Sequence, residues 1–395
     1  MHARRVAVVG GGIGGLTAAL LLARIGVRVI LLERHPAPTD AGTALGLYPN
    51  GLAVLHGLGL GEALGEMGFQ VRRAVFAIDG HAVTNLSFPD FGAGLDHALV
   101  LTRGGLSRVL LDAIAATGGV EVRHGHRVVG ATPDGHLDVR GPGGATCELQ
   151  ADLVIGADGV HSRVRASGHF HPRLVRTRSV AMRMLITWQP TSASIGEHWG
   201  RYGIAIASPV HGGTAYVAFG ASRGRLKAAL ERRDLVALCE AGAALLPEAG
   251  DALAGVNLDD AVVTPIETVR CRCWTDGRLV LLGDAAHAMT PHLGQGANSA
   301  LLDAAALVLA LSSEPSLATA LRAYVARRRW PVTWIQRASR LHCFVSESCT
   351  LPGLRQVRDA VVGRLVHLDG SLIRAIQQED PAAVYGAVRG LAHRS

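Results

Sequence analysis

Hydrophobic residues follow two different spacings along this chain, and the change between them divides the sequence. Short apolar runs that lead into helical spacing occur near residues 6, 153 and 279, an alternation typical of α/β proteins. Between these runs, residues 71–88 and 180–219 alternate apolar and polar positions around turns, which predicts hairpins. The pattern therefore predicts an α/β domain, an inserted, mostly antiparallel second domain, and C-terminal helices.

The bounds of the elements follow from where the apolar runs begin and end. Strands are predicted at residues 6–9, 27–32, 71–78, 83–88, 151–155, 180–189, 203–208, 214–219, 262–270 and 279–282. Helices are predicted at residues 16–25, 102–116, 226–246, 299–311, 317–343 and 353–368, with an interruption near Pro331. The basic run before Trp330 is interpreted as a solvated helix face with that tryptophan buried.

A glycine-rich turn joins the first strand to the first helix. Gly10, Gly12 and Gly15 fit the pattern G-x-G-x-x-G, and the second strand ends at Glu33. These glycines permit a tight turn and close approach of a pyrophosphate to the helix N-terminus, while the acid can accept hydrogen bonds from a ribose. The alternative is a turn that only packs helix on strand. Arg34 after the acid, without an obvious 2′-phosphate pocket, favours FAD or NAD over NADP.

Two later strand-to-loop junctions carry an acidic residue. Residues 156–159 read Gly-Ala-Asp-Gly, and a turn at the carboxyl edge of an open sheet faces ligands. The alternative for Asp158 is that it caps the next helix. Residues 283–298 place Asp284, two histidines, a proline and glycines between a strand and a helix, which indicates a ligand site rather than an ordinary connection.

Composition narrows the classes of partner. The chain of 395 residues carries a net charge of +7, but its arginines are dispersed, so anionic small ligands are expected and nucleic acid is not. The six cysteines show no zinc spacing, which predicts reduced thiols in a cytoplasmic protein and no metal site. No uninterrupted apolar run reaches the roughly 18 residues of a membrane span, so stable membrane insertion is not expected.

The motifs, in this order, resemble those of the single-component FAD-dependent monooxygenases of the p-hydroxybenzoate-hydroxylase fold, over residues 4–345. Residues 291–296 are most similar to the salicylate-, hydroxybenzoate- and urate-hydroxylase-like members. The resemblance implies a Rossmann-like FAD-binding domain at residues 1–70, 98–170 and 276–343. A substrate-binding β-sheet domain is then expected at residues 71–97 and 171–275, with C-terminal helices at 344–395.

The resemblance also implies FAD as the cofactor and NADH or NADPH as the electron donor. Asp284 would bind the ribityl chain, backbone N–H groups at 294–297 would stabilise the reduced flavin, and Pro291 would line the oxygen chamber. The implied cofactor-binding residues are Gly10, Gly12, Ile13, Gly14, Gly15, Glu33, Arg34, Gly46, Arg103, Val128, Asp158, Asp284, Pro291, Gly294, Gln295, Gly296, Ala297 and Asn298. The candidate catalytic residues are Pro291, His292, Tyr216 and Arg201. His287 is interpreted as a structural residue of the loop.

The activity implied is hydroxylation of an aromatic or polycyclic small molecule with NAD(P)H and O₂ through a flavin C4a-hydroperoxide, by a monomer or homodimer. Two alternatives remain open. One keeps the flavin but makes the enzyme a tailoring epoxidase, a Baeyer–Villiger-type oxygenase or a dehydrogenase. The other is a flavoprotein that binds a ligand without turnover.

The inserted sheet is expected to form the substrate pocket. Its candidate wall residues are Met182, Met184, Trp188, Tyr202, Ile204, Ile206, Tyr216 and Phe219. Relatives that act on anionic substrates place an arginine or a tyrosine hydroxyl in this sheet, for which Arg201 and Tyr216 are the nearest candidates. Residues 203–207 contain no arginine, which disfavours a pocket specific for urate or carboxylates and leaves room for a larger, more apolar substrate.

Overall fold

The structure is a computed structural model, and it describes residues 5–37, 43–190, 194–201, 203–348, 352–365 and 371–391. Tyr202, a predicted wall residue, and Cys349 lie outside the described residues. The cysteines within them are free. The described chain contains both helices and strands throughout, so the α/β prediction is confirmed.

The elements are named in chain order. The strands are β1 (Arg5–Val9), β2 (Arg28–Glu33), β3 (Ala44–Leu47), β4 (Phe69–Val71), β5 (Arg73–Ile78), β6 (His81–Ser87), β7 (Ala98–Thr102), β8 (Val120–His124), β9 (Arg127–Ala131), β10 (His136–Arg140), β11 (Thr146–Gln150), β12 (Leu153–Gly156), β13 (Pro172–Thr187), β14 (Ile195–Gly200), β15 (Gly203–Val210), β16 (Thr214–Ala221), β17 (Val262–Cys271), β18 (Thr275–Asp276) and β19 (Leu279–Leu281). The helices are α1 (Ile13–Arg24), α2 (Pro49–Gly57), α3 (Gly61–Met67), α4 (Arg103–Thr117), α5 (Arg163–Ser167), α6 (Gly224–Arg232), α7 (Leu235–Leu245), α8 (Gly250–Ala254), α9 (Asp284–His287), α10 (Gln295–Ser313), α11 (Leu317–Ser348), α12 (Pro352–Leu365), α13 (Ser371–Ala375) and α14 (Pro381–Leu391).

A six-stranded, mainly parallel sheet forms the first layer, in the order β18-β19-β12-β1-β2-β8. Strand β1 lies between β12 and β2, and both pairings are parallel. Strand β19 pairs in parallel with β12. Because the carboxyl ends of parallel strands share one edge, the turns after β1, β12 and β19 converge there, and these are the three motif-bearing turns.

A seven-stranded sheet forms the second layer, in the order β17-β13-β16-β15-β14-β5-β6. Its pairings are antiparallel except that of β14 with β5. One face packs on α6, α7 and α8 and buries Met182, Met184 and Phe219 with them. These three predicted wall residues therefore belong to the helix-covered core, so the prediction that they line the pocket is wrong. Strand alternation alone could not tell which face the helices cover.

Some elements differ from the prediction. Strands β3 and β14 were not predicted, because their short segments lack a run of β-branched or aromatic residues. Each is stabilised by a distant partner, β3 by β7 and β14 by β5. Helix α11 continues through Pro331, since Tyr324, Arg328 and Ile335 bury one face on both sides of the proline. Trp330 is 70% exposed, so its predicted burial is wrong; Arg328 is the buried residue of that run, at 0%.

Helix α10 is the longest apolar helix of the first layer. Its window Gly296–Ser313 is long and apolar enough to span a membrane, with a mean hydropathy of 1.3, but 67% of that window is buried inside the protein. It packs against α1, α2 and α11. Its apolar character is therefore explained by the core of the fold.

A buried ionic cluster ties α10, α11 and the C-terminal segment to strand β19. Asp303 Oδ1 accepts a hydrogen bond from Arg328 Nε at 2.8 Å, and Asp303 Oδ2 accepts one from Gly283 N at 2.9 Å. His287 Nε2 lies 2.5 Å from Asp303 Oδ2, which supports the structural role expected for this histidine. Arg328 also donates to Glu379 Oε1 at 2.9 Å. The cluster holds Gly283, and with it the loop that follows, at the edge of the sheet.

Replacing Arg328 is expected to destabilise the protein because it leaves the charge of Asp303 buried without its partner. We expect Arg328→Ala to lower the free energy of unfolding by about 3–5 kcal/mol, measured by urea denaturation. The neighbouring, exposed Arg329 provides the matched control; Arg329→Ala should change it by less than about 0.5 kcal/mol. If the two substitutions lowered the free energy of unfolding equally, the stabilising role of Arg328 would be contradicted.

The same cluster predicts a pH dependence. Burial alone would raise the pKa of Asp303, but His287 and Arg328 lower it from 3.8 to about 2. A carboxylate with a lowered pKa stabilises the fold above its unfolded pKa, and this contribution is lost as the pH falls from 3.8 towards 2. In Arg328→Ala the free energy of unfolding should fall less over this pH range than it does in wild type.

Candidate active site

The first glycine turn packs tightly against the turn after β12. Gly10 has φ +105°, and a Cβ on it would lie 2.5 Å from the carbonyl oxygen of Ala157. A Cβ on Gly15 would lie 2.0 Å from the carbonyl oxygen of Gly10, and one on Gly14 would lie 2.9 Å from Leu282 Cδ1. By contrast, the nearest atom to a Cβ on Gly12 is Arg103 Nη2 at 3.9 Å. Gly10, Gly14 and Gly15 thus serve packing, whereas Gly12 borders open space.

Two helix N-termini face this space without a side-chain cap. Helix α1 begins at Ile13 with Gly12 as its uncapped N-cap residue. Helix α10 begins at Gln295 after Gly294, which has φ +63° and also provides no side-chain cap. The free N–H groups and the helix dipole of each end favour a negatively charged ligand. A Cβ on Gly296 would meet nothing within 4 Å, so the start of α10 borders open space as well.

Arg103 and Asp284 bring opposite charges to the cleft between these helix ends. Desolvation by the cleft walls raises the pKa of Asp284, while the charges of His287 and Arg103 oppose the rise. Asp284 remains exposed. Its carboxylate takes part in no hydrogen bond with the part of the chain that the structure describes, which leaves it available to the hydroxyl groups of a ligand. The structure therefore brings together Gly12, Arg103, Asp284 and the start of α10, residues predicted from widely separated motifs.

The far end of the first glycine turn lies at Glu33. Its Oε2 accepts a hydrogen bond from Gly11 N at 2.7 Å and its Oε1 accepts one from His35 N at 2.8 Å. The segment between β8 and β9 joins this edge through a hydrogen bond from His126 N to Glu33 O at 2.8 Å. Arg34 is exposed and Val128 is buried in β9. Cofactor contacts by Glu33, Arg34 and Val128 stay predictions.

The carboxylate of Asp158 is used inside the protein. It accepts hydrogen bonds from Ser162 Oγ at 2.5 Å, Arg163 N at 2.6 Å and Val164 N at 3.2 Å. Burial raises its pKa, and these donors oppose the rise. Asp158 thus anchors the start of α5, as the capping alternative predicted, while a cofactor contact by its side chain stays a prediction.

The segment that begins with β3 is fastened to the start of α10. Asn298 Oδ1 accepts a hydrogen bond from Tyr48 N at 2.9 Å, and Asn298 Nδ2 donates to Gly46 O at 3.1 Å. Gln295 is fully buried and its Oε1 accepts from Asn50 Nδ2 at 3.0 Å. The side chains of Asn298 and Gln295 therefore hold the loop together. Gly294 N already donates to Pro291 O at 2.8 Å, so its N–H is not free for the predicted flavin contact. The backbone N–H groups of Gln295, Gly296 and Ala297, in the first turn of α10, remain for that contact.

The face of the seven-stranded sheet opposite α6, α7 and α8 carries a row of four half-buried residues. Glu197 on β14 lies opposite Ile206 on β15, and Ile206 lies opposite Ala218 on β16. Ala218 in turn lies opposite Arg183 on β13. Directly opposed residues point to the same face, so an acid, two apolar residues and a base form one line across the sheet. With neighbouring strands ~4.8 Å apart, the row spans about 14 Å between the outer Cα atoms.

The row faces the first layer. Ile195, two residues before Glu197 on β14, packs with Tyr48, and a Cβ on Gly46 would lie 3.9 Å from Ile195 Cδ1. Burial, together with the charge of Glu197, raises the pKa of Tyr48 to about 12. Tyr216, two residues before Ala218, shares the face, and burial raises its pKa while Arg183 opposes the rise. The chamber between sheet and loop therefore has a basic end at Arg183 and an acidic end at Glu197.

Two candidate catalytic residues lie elsewhere than predicted. Arg201 is exposed on the turn between β14 and β15, so it does not belong to this face. His292 is 6% exposed, and its Nε2 lies 2.8 Å from Glu347 Oε1 on α11, so direct proton exchange with a substrate is not supported. Pro291 and Gly294 remain exposed beside the chamber. The two corrections share one cause, because sequence spacing does not show which way a turn or loop residue points.

Arg183, Glu197 and His342 were missed by sequence reasoning. Arg183 lay within a predicted strand, but its face was unknown. Glu197 lies on the strand that was not predicted, although Ile195, Glu197 and Trp199 alternate with smaller or polar residues in a way that could have revealed it. His342 comes from α11, and no local signal indicates that it reaches the inserted sheet.

The fold and the convergence of the three turns agree with comparisons to known proteins. The family model of the FAD binding domain matches residues 3–336. The chain belongs to the FAD-dependent aromatic hydroxylases. The predicted family and the FAD cofactor are thereby confirmed, and the chain is an FAD-dependent monooxygenase.

Relatives with named activities support this assignment. A 2-heptyl-3-hydroxy-4(1H)-quinolone synthase of Mycobacteroides abscessus is 32% identical over 86% of this chain and 90% of the relative. The 3-hydroxybenzoate 6-hydroxylase 1 of Aquipseudomonas alcaligenes is 30% identical over 86% of this chain and 88% of the relative. The crystal structure of Klebsiella pneumoniae HpxO with FAD and uric acid superposes with a TM-score of 0.78 at 25% identity, covering 94% of this chain and 95% of that chain.

Loss of the Asp284 carboxylate should weaken FAD binding in this hydroxylase. A hydrogen bond to a charged group contributes about 1.5–3 kcal/mol, so Asp284→Ala should bind FAD about 10- to 100-fold more weakly. The measurement is flavin absorbance per protein after desalting, followed by titration of the apoprotein with FAD. Asp251→Ala, at an exposed position on α8, is the control; full flavin retention by Asp284→Ala would refute the role.

Proposed function

We propose that this monooxygenase hydroxylates an aromatic ring that bears a hydroxyl, oxo or acidic group, bound on the face of the seven-stranded sheet opposite α6, α7 and α8. The observation that carries the proposal is the row from Glu197 to Arg183, which offers an apolar floor between a hydrogen-bond acceptor and a hydrogen-bond donor. A flat ring can lie on Ile206 and Ala218 while its polar substituents meet the two ends. NADH or NADPH supplies the electrons and O₂ the oxygen atom.

FAD fits the cleft of the first layer. When bound, it supplies the redox chemistry that activates O₂. The free N–H groups at the start of α1 and Arg103 would hold its phosphates, Asp284 its ribityl hydroxyls, and Glu33 its ribose. The N–H groups of residues 295–297 at the start of α10 would stabilise negative charge at the flavin, and Pro291 would exclude water from the chamber.

We also propose that the two layers mark two domains. The first comprises residues 1–70, 98–170 and 276–343, the second residues 71–97 and 171–275, and the C-terminal helices residues 344–395. The strands of the seven-stranded sheet come from residues 73–87 and 172–271, which supports this division. A cytoplasmic location and a monomeric or homodimeric state, without nucleic acid, complete the proposal.

Arg183 would bind the oxo, hydroxyl or acidic group of the substrate. Its Nη1 donates to Thr264 Oγ1 at 3.0 Å, which orients the guanidinium across the sheet. It forms no ion pair with any acid among the residues that the structure describes. A half-buried arginine without an acidic partner favours an anionic or strongly accepting substrate group. The sheet thus contains the arginine that residues 203–207 lack, two strands further across, on β13.

The proposed function is tested by measuring NAD(P)H oxidation by the holoenzyme with 2-heptyl-4(1H)-quinolone, 3-hydroxybenzoate and uric acid. A substrate should accelerate NAD(P)H oxidation and give a product that gains one oxygen atom. Product mass and structure distinguish hydroxylation from epoxidation, ring-oxygen insertion and loss of two hydrogens. A holoenzyme that binds these compounds without accelerated oxidation or oxygenated product would contradict the proposal.

Removal of the Arg183 guanidinium should raise KM more than it lowers kcat, because its contact with the substrate exists both in the bound complex and in the transition state. We expect Arg183→Met to lower kcat/KM about 10- to 100-fold for the substrate found above. Arg201→Ala is the matched control and should stay within about twofold of wild type. A larger loss of kcat/KM in Arg201→Ala than in Arg183→Met would instead support the sequence-based prediction that Arg201 is catalytic.

A further inference from the structure

Two carboxylate–histidine pairs lie side by side at the acidic end of the chamber. His342 Nε2 lies 2.5 Å from Glu197 Oε1, and His292 Nε2 lies 2.8 Å from Glu347 Oε1. The two imidazole rings are 5.9 Å apart between their centroids. The first pair joins α11 to β14 of the inserted sheet, and the second joins α11 to the loop before α10.

The pairs differ in their access to the chamber. The side chains of His292 and Glu347 are 3% and 0% exposed, and Ser179 donates a further hydrogen bond to Glu347. The side chains of Glu197 and His342 are 21% and 20% exposed. The inner pair is therefore closed, whereas the outer pair keeps part of its surface accessible.

Glu197 is held in one orientation. Its Oε1 receives a hydrogen bond from Trp199 Nε1 at 2.5 Å in addition to the contact with His342. Trp199 itself is fixed between Phe76, at 4.8 Å in an edge-to-face arrangement, and the guanidinium of Arg358 at 5.3 Å. The other oxygen, Oε2, takes part in no hydrogen bond with a residue in the described ranges.

The surroundings favour the ionised form of Glu197. Burial by itself would raise its pKa, but His342, Trp199 and His292 lower it. Burial would lower the pKa of His342, but the negative charges of Glu197 and Glu347 raise it. A half-buried carboxylate that keeps its charge and has one unused oxygen is a strong hydrogen-bond acceptor.

We propose that Glu197 Oε2 accepts a hydrogen bond from a ring N–H or O–H of the substrate and thereby selects aromatics that carry such a donor. His342 is a positioning residue that acts through Glu197. This inference rests on the proposed function, since it places the ring on the row described above. With Arg183 at the other end, the preferred substrate carries a donor on one side and an acceptor or anionic group on the other.

The arrangement also serves hydroxylation. A negative charge next to a ring N–H or O–H draws the hydrogen towards the carboxylate and increases the electron density of the ring. Oxygen transfer to an electron-rich carbon becomes easier as a result. No proton needs to leave the substrate for this effect.

The test is a cycle that combines protein variants with methylated ligands. The probes are 2-heptyl-4(1H)-quinolone with its 1-methyl derivative, and 3-hydroxybenzoate with 3-methoxybenzoate. Dissociation constants for the oxidised holoenzyme are measured from flavin fluorescence, and kcat/KM from oxygenated product. Within the pair that wild type hydroxylates, the donor-bearing ligand should bind about 10- to 100-fold more tightly than its methylated partner. Glu197→Leu should reduce this ratio to about one, with the methylated ligand bound almost unchanged.

Further variants distinguish the positioning of Glu197 by His342 from a general disturbance of the fold. His342→Gln keeps a donor towards Glu197 and should retain most of the preference, whereas His342→Leu should lose it. Glu240→Gln, at an exposed position on α7, is the matched control for loss of an acid and should keep the wild-type ratio. Flavin content after desalting should be the same in every variant.

The outcomes distinguish the inference from the proposed function. If wild type gives oxygenated product and Glu197→Leu keeps the wild-type preference for the donor-bearing ligand, the role of Glu197 is overturned. The hydroxylase function then stays in place. A wild type that binds the methylated ligand as tightly as its partner also overturns the role of Glu197. Absence of oxygenated product from every compound overturns the proposed function, and the role of Glu197 with it.

Discussion

The buried carboxylate of Asp303 is the constraint on which the active-site loop depends. One of its oxygens binds Arg328 and the other binds both Gly283 N and His287 Nε2. Gly283 has φ +58°, where the chain turns from β19 towards Asp284. An unpaired charge at this depth would cost several kcal/mol, so all the partners are needed together. The loop at residues 283–294, which is proposed to face the flavin, is thus held in place by a buried ionic cluster beneath it.

The C-terminal segment belongs to the same arrangement. Gln378 Nε2 donates to Gln295 Oε1 at 3.0 Å, and Gln377 accepts a hydrogen bond from Asn50 N at 3.0 Å. Helix α14 packs on α2, where a Cβ on Gly57 would lie 2.8 Å from Val388 Cβ. The chain therefore returns to brace the two loops next to the flavin site after it has completed both sheets. This bracing explains why Gln295 is fully buried although it starts a helix at the cleft.

Helix α11 connects cofactor chemistry with substrate choice. Near its beginning Arg328 supports the cofactor loop, and near its end His342 and Glu347 reach β14 and the loop before α10. A helix of 32 residues is stiff enough to fix both distances at once. The acidic end of the chamber is thereby positioned relative to the flavin site by one element, and Pro331 does not interrupt it.

The order of strand, glycine turn and helix, repeated with acidic residues at the later turns, was sufficient to predict the α/β fold, the cofactor and the family. Such motifs are local. Gly10 and Gly294 have positive φ angles that glycine adopts easily, and a Cβ on Gly15 would clash with Gly10 O, so the glycines themselves indicate these turns in the sequence. The identity of the substrate-facing side chains was decided by tertiary structure. Met182 and Arg183 are neighbours on one strand, yet the helices that cover one face bury the first and leave the second in the chamber. Glu197 and His342 are 145 residues apart and meet only because α11 crosses the sheet. Pairing between distant segments has no local signature, and for this reason the sequence alone predicted the family and its cofactor but not which side chains share the substrate-facing side of the sheet.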